Sequence, residues 1–249
     1  MAKGIEEYAI EDSINKIYSS EILDYVVDEA LQIHGGYGYV REYPVERHYR
    51  DARPGRIVEG TNEINRLLMM DMLAKRAMTN RLPILQAAQR ATNDLLTLEP
   101  KIDTDDGKLT LQKEMIEMSK KITLLVAGAA FQRYMMKLTE EQEILSLISD
   151  IVIEVFAMES GLLRALKSMG RLADESSQIQ KAMVRVHVND AFERVKGYAK
   201  QALSAIAEGN TLRTQLSALN KTTRFTPVNT VILRREVADA VIKVGRYPF

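Results

Sequence analysis

Apolar residues recur at helical spacing through most of the chain. Over residues 144–166 the apolar positions are separated by steps of three or four, which places them on one helix face for about six turns. The same spacing begins in 118–129 and again in 179–186. No proline interrupts the stretch between residues 100 and 227, and no long alternation of apolar and polar residues is bounded by turn signals. The pattern predicts an all-α fold.

The N-terminal region is predicted to contain two helices joined by an irregular segment. The first helix is expected over 5–34 and ends at Gly35-Gly36, since glycine readily takes the left-handed conformation of a helix C-cap. Glycines and prolines in 35–60 predict irregular backbone there. The second helix is expected to start near Thr61, to end near residue 79, and to be capped by Thr61 or Asn62.

The remainder is predicted to be an up-down helical bundle. A short helix and three long helices are expected over 82–96, 108–137, 139–168 and 174–207. A break at Gly209-Asn210 and one or two shorter helices follow them. We therefore expect three segments. They are a helical domain over 1–80, a linker with a short helix over 81–107, and a helical bundle over 108–249. The acidic part of the linker, 103–107, lacks the alternating ligands and final glutamate of a calcium loop.

Composition excludes several kinds of site. The chain has 249 residues, no cysteine, three histidines, and 34 basic against 34 acidic side chains. The absence of cysteine excludes disulfides, thiolate nucleophiles and iron–sulfur clusters, and the histidines are too scattered for a metal motif. Zero net charge argues against a nucleic-acid clamp. No apolar run could span a membrane and the N-terminus lacks a signal-peptide core, so we expect a cytoplasmic protein without metal or nucleic acid.

The glycine cluster is the first candidate for chemistry. The chain reads Gln32-Ile33-His34-Gly35-Gly36-Tyr37-Gly38-Tyr39 at the end of the first predicted helix. Glycines let backbone amides approach a ligand closely, and such turns can hold a pyrophosphate. The alternative is a simple helix stop, and spacing alone favours the stop.

Glu59 is the second candidate. It lies between the apolar pair Ile57-Val58 and Gly60, just before a predicted helix start. Burial there would disfavour the charged carboxylate and make it a base usable near neutral pH. The alternative is a solvated carboxylate that the helix dipole favours. Thr61 and Asn62 have a similar double interpretation, because the free amides of a helix N-terminus also bind phosphate.

Two further groups are assigned structural roles. Arg50 and Asp51, beside Arg47 and Arg53, are predicted to form an ion pair that fixes the loop. The methionines at helical spacing are predicted to fill the core, because methionine adapts to irregular gaps. They are Met69, Met70, Met72, Met115, Met118, Met135, Met136 and Met158.

Taken in order, three motifs resemble the C-terminal signature region of the acyl-CoA dehydrogenases. They are the run from Gln32 to Tyr39, the step Arg50-Asp51-Ala52, and Val58-Glu59-Gly60-Thr61-Asn62-Glu63-Ile64. The resemblance is continuous over residues 5–76. The helical remainder, closing with Gly245-Arg246-Tyr247-Pro248-Phe249, is similar to the C-terminal extension of the very-long-chain type. The implied fold is an all-α C-terminal helical-bundle domain of the acyl-CoA dehydrogenase type followed by a second up-down helical bundle.

The resemblance implies a part of a FAD-dependent enzyme of fatty-acid β-oxidation, which converts a long-chain acyl-CoA to the trans-2-enoyl-CoA. Glu59 matches the general base that removes the α-proton, while hydride leaves to flavin N5. Gly60 matches a substrate contact. Positions matching FAD contacts are Thr61, Asn62 and Glu63, and those matching contacts to the FAD of a neighbouring subunit are Gln32, Ile33, His34, Gly35 and Gly36. A homodimer and an electron-transferring flavoprotein as electron acceptor are implied.

Members of that family are much longer and carry further domains before this region. The resemblance therefore implies that the N-terminal half of the enzyme is missing, and that the chain alone neither holds FAD tightly nor turns over substrate. The alternative is a non-enzymatic helical dimerisation or docking module derived from such an enzyme, although such a module has no need of Glu59-Gly60-Thr61. Weak peripheral membrane contact through residues 82–109 is a third option, supported by leucines beside Arg81 and Arg90.

Overall fold

The computed structural model describes residues 2–97, 109–169 and 174–246. Helices and helical turns make up these residues almost throughout, and no strand occurs among them, which confirms the all-α prediction. The chain divides into two compact units, Met1–Leu82 and Pro83–Phe249. No helix within the described ranges is long and apolar enough to cross a membrane.

The first unit contains three helices, α1 (Ala2–His34), α2 (Val45–Ala52) and α3 (Asn62–Met78), with 3-10 turns at Gly35–Tyr39 and Arg53–Arg56. Both α2 and α3 pack on α1. The prediction that 35–60 is irregular was wrong, since much of it is helical. Its prolines do not interrupt these helices, because Pro44 caps α2 and Pro54 lies in the first turn of its 3-10 helix, where a missing amide removes no hydrogen bond.

The ends of the long helices in this unit follow the sequence signals. Gly35, directly after α1, has φ +58° and takes the predicted left-handed conformation. Thr61 caps α3, and its Oγ1 accepts a hydrogen bond from the Ile64 amide at 3.3 Å. Thr61 rather than Asn62 is therefore the cap.

The second unit contains six helices among the described residues: α4 (Ile84–Thr97), α5 (Thr110–Tyr134), α6 (Gln142–Ser168), α7 (Asp174–Ile206), α8 (Gly209–Thr222) and α9 (Thr230–Val244). Helices α5, α6 and α7 pack on one another, α4 packs on α5, and both α8 and α9 pack on α7. Helix α4, expected in a linker, therefore belongs to the second unit. Gly209 begins α8 with φ +58° rather than only interrupting the chain. The predicted polar loop over 99–107 lies outside the described residues.

Side chains of α6 and α7 form the centre of this bundle. Ile148, Ile151 and Met158 are buried on α6, in agreement with the three-four spacing, and Phe192 and Leu203 are buried on α7. Burial of such side chains is the main favourable contribution to folding.

A charged pair also joins α6 to α7. The Arg194 guanidinium holds the buried Glu154 carboxylate through two contacts, Nε to Oε1 at 2.5 Å and Nη2 to Oε2 at 2.9 Å. This hydrogen-bonded carboxylate raises the pKa of Arg194. Neither of these two charges is therefore left unpaired between α6 and α7.

The prediction for the methionines holds in part. Met69, Met115 and Met158 are buried as core residues. Met135 and Met136 are 64% and 76% exposed, so the prediction was wrong for them. They lie in the 3-10 turn Met135–Glu140, where the chain leaves α5 and the helical spacing no longer points them at the core.

Candidate functional site

Glu59 lies on a turn of unusual backbone conformation. Glu59 has φ +55° and Gly60 has φ +82°, so two consecutive residues are left-handed. This conformation is natural for glycine but costs about 1–2 kcal/mol for a residue with a side chain. The Glu59 side chain is exposed, and the prediction of a buried base is therefore not met within this chain. Strained residues of this kind concentrate at functional sites.

Two side chains fix the carbonyl of Gly60. Lys16 Nζ donates to it at 2.7 Å and Asn65 Nδ2 donates to it at 2.8 Å, while the same Asn65 nitrogen lies 3.0 Å from the Thr61 carbonyl. The bond from Lys16 is charge-assisted and therefore among the stronger hydrogen bonds. The peptide between Gly60 and Thr61 is thus anchored both to α1 and to α3.

Asn62 is buried and joins α3 to α1. Its Oδ1 accepts from Lys16 Nζ at 2.7 Å, and its Nδ2 donates to Ser20 Oγ at 3.0 Å and to Glu21 Oε1 at 3.1 Å. The side-chain amide is fully used inside the unit. Asn62 therefore positions the start of α3, and the cofactor contact that the resemblance implies for it stays a prediction.

Further ion pairs hold the same segment on α1. Arg66 forms a two-pronged contact with Glu21, at 2.9 Å and 3.1 Å, and Arg56 contacts Asp24 at 3.1 Å. The predicted pair Arg50–Asp51 was wrong, because Arg50 contacts Glu46 at 3.5 Å instead. Adjacent residues of a helix point apart, whereas residues four apart share a face.

The anchors on α1 were not predicted from the sequence. Lys16, Ser20 and Asp24 recur every four residues beside the buried stripe of Ile10, Ile14 and Ile17. A polar row next to an apolar stripe is a signal that this face of α1 contacts a polar segment. The spacing alone does not reveal which segment, because the partners lie about thirty to forty-five residues away.

Glu63 occupies the N-terminus of α3. Hydrogen bonds from its own backbone amide and from the Thr61 hydroxyl lower the pKa of the Glu63 carboxyl, with support from the Arg66 charge. A carboxylate on these amides competes with any phosphate for the same positive end of the helix. The α3 N-terminus is therefore better suited to a hydroxyl or amide group than to a pyrophosphate.

The stretch from Gln32 to Gly36 is exposed and open. A Cβ added to Gly35 or Gly36 would meet nothing within 4 Å. A Cβ on Gly38 would lie 2.6 Å from the Leu31 carbonyl oxygen, so Gly38 is required for close packing. His34 Nδ1 lies 2.8 Å from the Ala30 carbonyl oxygen and therefore donates a proton to it. Gly35 ends the helix, and together with Gly36 it leaves room for another molecule.

The structure brings together only part of the predicted site. Residues 59–63 lie on one turn, which is held against α1 between Lys16 and Asp24. His34 is ten residues beyond Asp24, or about 15 Å further along the helix. The stretch from Gln32 to Gly36 is therefore a second, separate contact area of the same unit.

Apolar side chains surround both areas. Ile33, Tyr37 and Tyr39 are 67–83% exposed around the glycines. Ile57, Val58 and Ile64 are 53–56% exposed around Glu59. Such exposed apolar groups mark surfaces that contact other molecules. Over the described ranges, no cluster of histidine, aspartate or glutamate has the arrangement of a metal site.

Comparison with known proteins identifies related sequences for both units. Two family models match, each described as the C-terminal domain of acyl-CoA dehydrogenase, one over residues 1–77 and the other over residues 118–221. The first matched region contains every candidate site residue named above. The second matched region covers most of the α5–α8 bundle.

Three relatives are informative. A probable acyl-CoA dehydrogenase of Bacillus subtilis is 44% identical over 99% of this chain and 41% of its own length. The caffeyl-CoA reductase-Etf complex subunit CarC of Acetobacterium woodii is 48% identical over 26% of this chain and 17% of its own length. The crystal structure of an acyl-CoA dehydrogenase from Bacillus anthracis, complexed with FAD, superposes with a TM-score of 0.94 at 44% identity, over all of this chain and 42% of that one.

The chain thus spans about two fifths of the length of the full-length relatives that it matches throughout. Over that length the helices, their order and nearly half of the residues agree. In sequence and in fold, the chain is therefore similar to the C-terminal part of the acyl-CoA dehydrogenases.

Proposed function

We propose that the chain supplies the C-terminal helical part, including the general base, of a FAD-dependent acyl-CoA dehydrogenase. The observation that carries this proposal is the turn at Glu59. A non-glycine residue is kept there in a left-handed conformation, and Lys16 and Asn65 hold the adjoining Gly60 carbonyl. A carboxylate that served only solubility would need neither the strain nor the anchors.

Glu59 acts on the α-carbon of an acyl-CoA thioester. The α-proton of a thioester is weakly acidic, so the base must be aimed at it and kept away from water. The exposed apolar side chains of Ile57, Val58 and Ile64 supply a dry rim once other polypeptide covers them. Glu59 then removes the α-proton, and the exposed Gly60 beside it contacts the substrate.

Two groups of residues hold the cofactor, and FAD, when bound, accepts the hydride that leaves the β-carbon. Thr61 and Glu63, at the start of α3, would hold it, and the Glu63 carboxylate would offer it a hydrogen-bond acceptor. Asn62 contributes by fixing this turn on Lys16. Gln32, Ile33, His34, Gly35 and Gly36 contact the FAD of a second subunit, since they are exposed, open and distant from Glu59 along α1.

The wider assignments follow from the same proposal. A homodimer places the exposed stretch from Gln32 to Gly36 of one subunit on the cofactor of the other. An electron-transferring flavoprotein is the proposed acceptor, which similarity to a subunit of an Etf complex supports. A long-chain substrate, oxidised to its 2-enoyl thioester in β-oxidation, is proposed from the resemblance to the very-long-chain type. Activity requires the remaining part of such an enzyme, because the chain spans only about two fifths of its relatives.

The proposal is tested by complementation. The chain is co-expressed with the part of the Bacillus subtilis relative that it does not match, and the product is assayed for bound FAD by absorbance and for oxidation of palmitoyl-CoA with an artificial electron acceptor. Glu59→Gln keeps the size of the side chain but removes the base. We expect it to lower kcat by about 10²–10⁴-fold with unchanged FAD content. Full turnover by Glu59→Gln would contradict the proposal.

A docking module without catalytic activity is the second candidate. The exposed apolar surface of the first unit favours it, because such a surface fits a binding partner as well as a cofactor. In that case the complemented protein binds no FAD, and Glu59→Gln leaves partner binding unchanged. The two candidates are therefore separated by the same assay.

A further inference from the structure

The charge distribution of the second unit is uneven. The whole chain is neutral, yet residues 209–235 contain no acidic residue and five basic ones, namely Arg213, Lys221, Arg224, Arg234 and Arg235. Arg234 contacts Asp190 on α7. The first three of these cations lie on α8 or just after its end.

The three cations line one groove. Arg213, Ser217 and Asn220 follow one another at steps of four and three residues, which aligns them along a single side of α8, and Arg224 lies two residues after the helix end. Together with Leu216 and Lys221 they line a groove of about 450 Å³. This surface, lined by Arg213, Leu216, Ser217, Asn220, Lys221 and Arg224, is called the α8 groove below.

Among the described residues of the second unit, none neutralises the positive charges of the α8 groove. Its lining includes no aspartate or glutamate, and none of its three cations takes part in an ion pair with a described residue. Elsewhere in the same unit, Lys120, Lys121 and Arg194 each contact a carboxylate. The groove therefore has an unbalanced positive charge, which favours an anionic partner.

The length of the groove indicates what kind of anion fits. Arg213 and Lys221 are eight residues apart on α8, or about 12 Å along its axis, and Arg224 lies just beyond the helix end. A single phosphate reaches only one end of such a row. A nucleic acid is a poor fit because its affinity comes mainly from phosphate contacts, and three cations neutralise only about three phosphates. A membrane surface is a poor fit because it requires a broad apolar face, whereas only Leu216 is apolar here.

We propose that the α8 groove docks an acidic segment of a partner polypeptide, whose carboxylates are spread over about two to three helical turns. Arginine binds carboxylates through two parallel hydrogen bonds, and both Arg213 and Arg224 are exposed and free to do so. Ser217 and Asn220, between the two arginines, offer hydrogen bonds to the backbone or side chains of the same segment. This proposal does not depend on the activity proposed for the first unit.

The test uses the full chain and a defined probe. The probe is a fluorescein-labelled alanine-based helical peptide of about 16 residues with glutamate at every fourth position, compared with the same peptide carrying glutamine. Binding is followed by fluorescence anisotropy at several salt concentrations. We expect the acidic peptide to bind, the glutamine peptide not to bind, and the affinity to fall as salt rises.

Charge reversal locates the binding site. The triple variant R213E/K221E/R224E is expected to weaken binding of the acidic peptide by at least about tenfold. The matched control R133E/R164E/K137E changes two exposed arginines and one exposed lysine elsewhere in the unit, and it should retain binding. Circular dichroism verifies helix content. If the reversed variant does not fold, R213Q/K221Q/R224Q makes the same test without acidic side chains on α8.

Several results would overturn the proposal. Equal binding of the acidic and glutamine peptides, or equal losses in the α8 and control variants, would show that the groove does not recognise the peptide. Preferential binding of inorganic pyrophosphate, or of phosphatidylglycerol vesicles, over the acidic peptide would assign the groove to phosphate groups instead. A loss of peptide binding confined to the α8 variants supports the proposal.

Discussion

The two units of the chain differ in how many of their large apolar side chains are exposed. The second unit buries long side chains from α5, α6 and α7 in one core, and its exposed large apolar residues are fewer than those of the first unit and lie mostly on α9. The first unit is smaller, yet it contains most of the large apolar side chains that the described structure leaves exposed, including Tyr25, Ile33 and Tyr39. Ordinary soluble domains expose such residues singly rather than in number.

The difference separates two ways of holding a fold together. The second unit is stabilised by its interior, where even the charged pair Glu154–Arg194 is satisfied between helices. The first unit relies on polar contacts between α1 and residues 56–66, centred on Lys16 and Asn62. Its apolar surface remains outside. We infer that the second unit is a scaffold and that the first unit presents a surface on which chemistry takes place.

The largest expected effect is the loss of stability when a buried side chain of the second unit is removed. Phe192→Ala removes a buried ring from the second unit and should lower its free energy of unfolding by about 3–5 kcal/mol. Tyr39→Ala removes a ring that is 80% exposed and should change the stability of the first unit by no more than about 0.5 kcal/mol. Hydrogen exchange, resolved by peptide, reports each unit separately. Equal destabilisation by both variants would contradict the distinction between a unit stabilised by its core and a unit that exposes its apolar side chains.

The next effect concerns the polar anchors. Asn62→Ala deletes a buried amide and leaves Lys16 and Glu21 without one partner each, so it should destabilise the first unit by about 1–3 kcal/mol. Asn15→Ala, on the exposed side of α1, is the control and should have little effect. The stability of both variants is measured by urea titration, with protection of the α3 amides from hydrogen exchange as the readout. A neutral Asn62→Ala would show that the anchors do not hold the unit.

A smaller effect is expected at the two glycine positions. Gly60→Ala places a Cβ 3.0 Å from Asn65 Nδ2 at φ +82°, which should cost about 1–2 kcal/mol and displace the Glu59 turn. Gly36→Ala meets open space and should be nearly neutral in stability. Thermal unfolding compares the two variants. If Gly36→Ala is the more damaging to stability, the distinction between an anchored turn and an open surface is wrong.

The smallest effect is a pH dependence of the second unit. Burial lowers the pKa of His187, partly opposed by the Glu154 charge and a hydrogen bond to the Ala157 carbonyl. The stabilising contribution of neutral His187 is complete above its unfolded pKa of about 6.5 and is lost as pH falls below it. His187→Gln should flatten the stability of the second unit below this pH in urea titrations. An unchanged slope in the variant would assign the dependence to other groups.

Local signals in the sequence were sufficient for the helices and their caps. The three-four spacing of α6 and the threonine before α3 depend only on neighbouring residues. The helical turns around α2 were missed, because prolines were interpreted as breaks although they stand at helix starts. The error for Arg50 followed from this, since its partner is decided by the helix that was not predicted.

Contacts between distant residues could not be predicted from local patterns. Lys16 and Gly60 are 44 residues apart, and nothing near either residue indicates that they meet. The exposure of Glu59 agrees with the solvated carboxylate given as the alternative, because flanking apolar residues indicate burial only if the chain itself covers them. The motif predicts which residues act in the site, while the structure shows which contacts hold residues 59–63 in place.

The central claim is that Glu59 removes the α-proton of an acyl-CoA. The most direct measurement is the exchange of that proton with solvent. The complemented enzyme is incubated with palmitoyl-CoA in deuterated water under anaerobic conditions, without an electron acceptor, and deuterium at the α-carbon is read by mass spectrometry. We expect deuterium incorporation by the unmodified protein and none above background by Glu59→Gln at equal FAD content. Undiminished incorporation by Glu59→Gln would contradict the account.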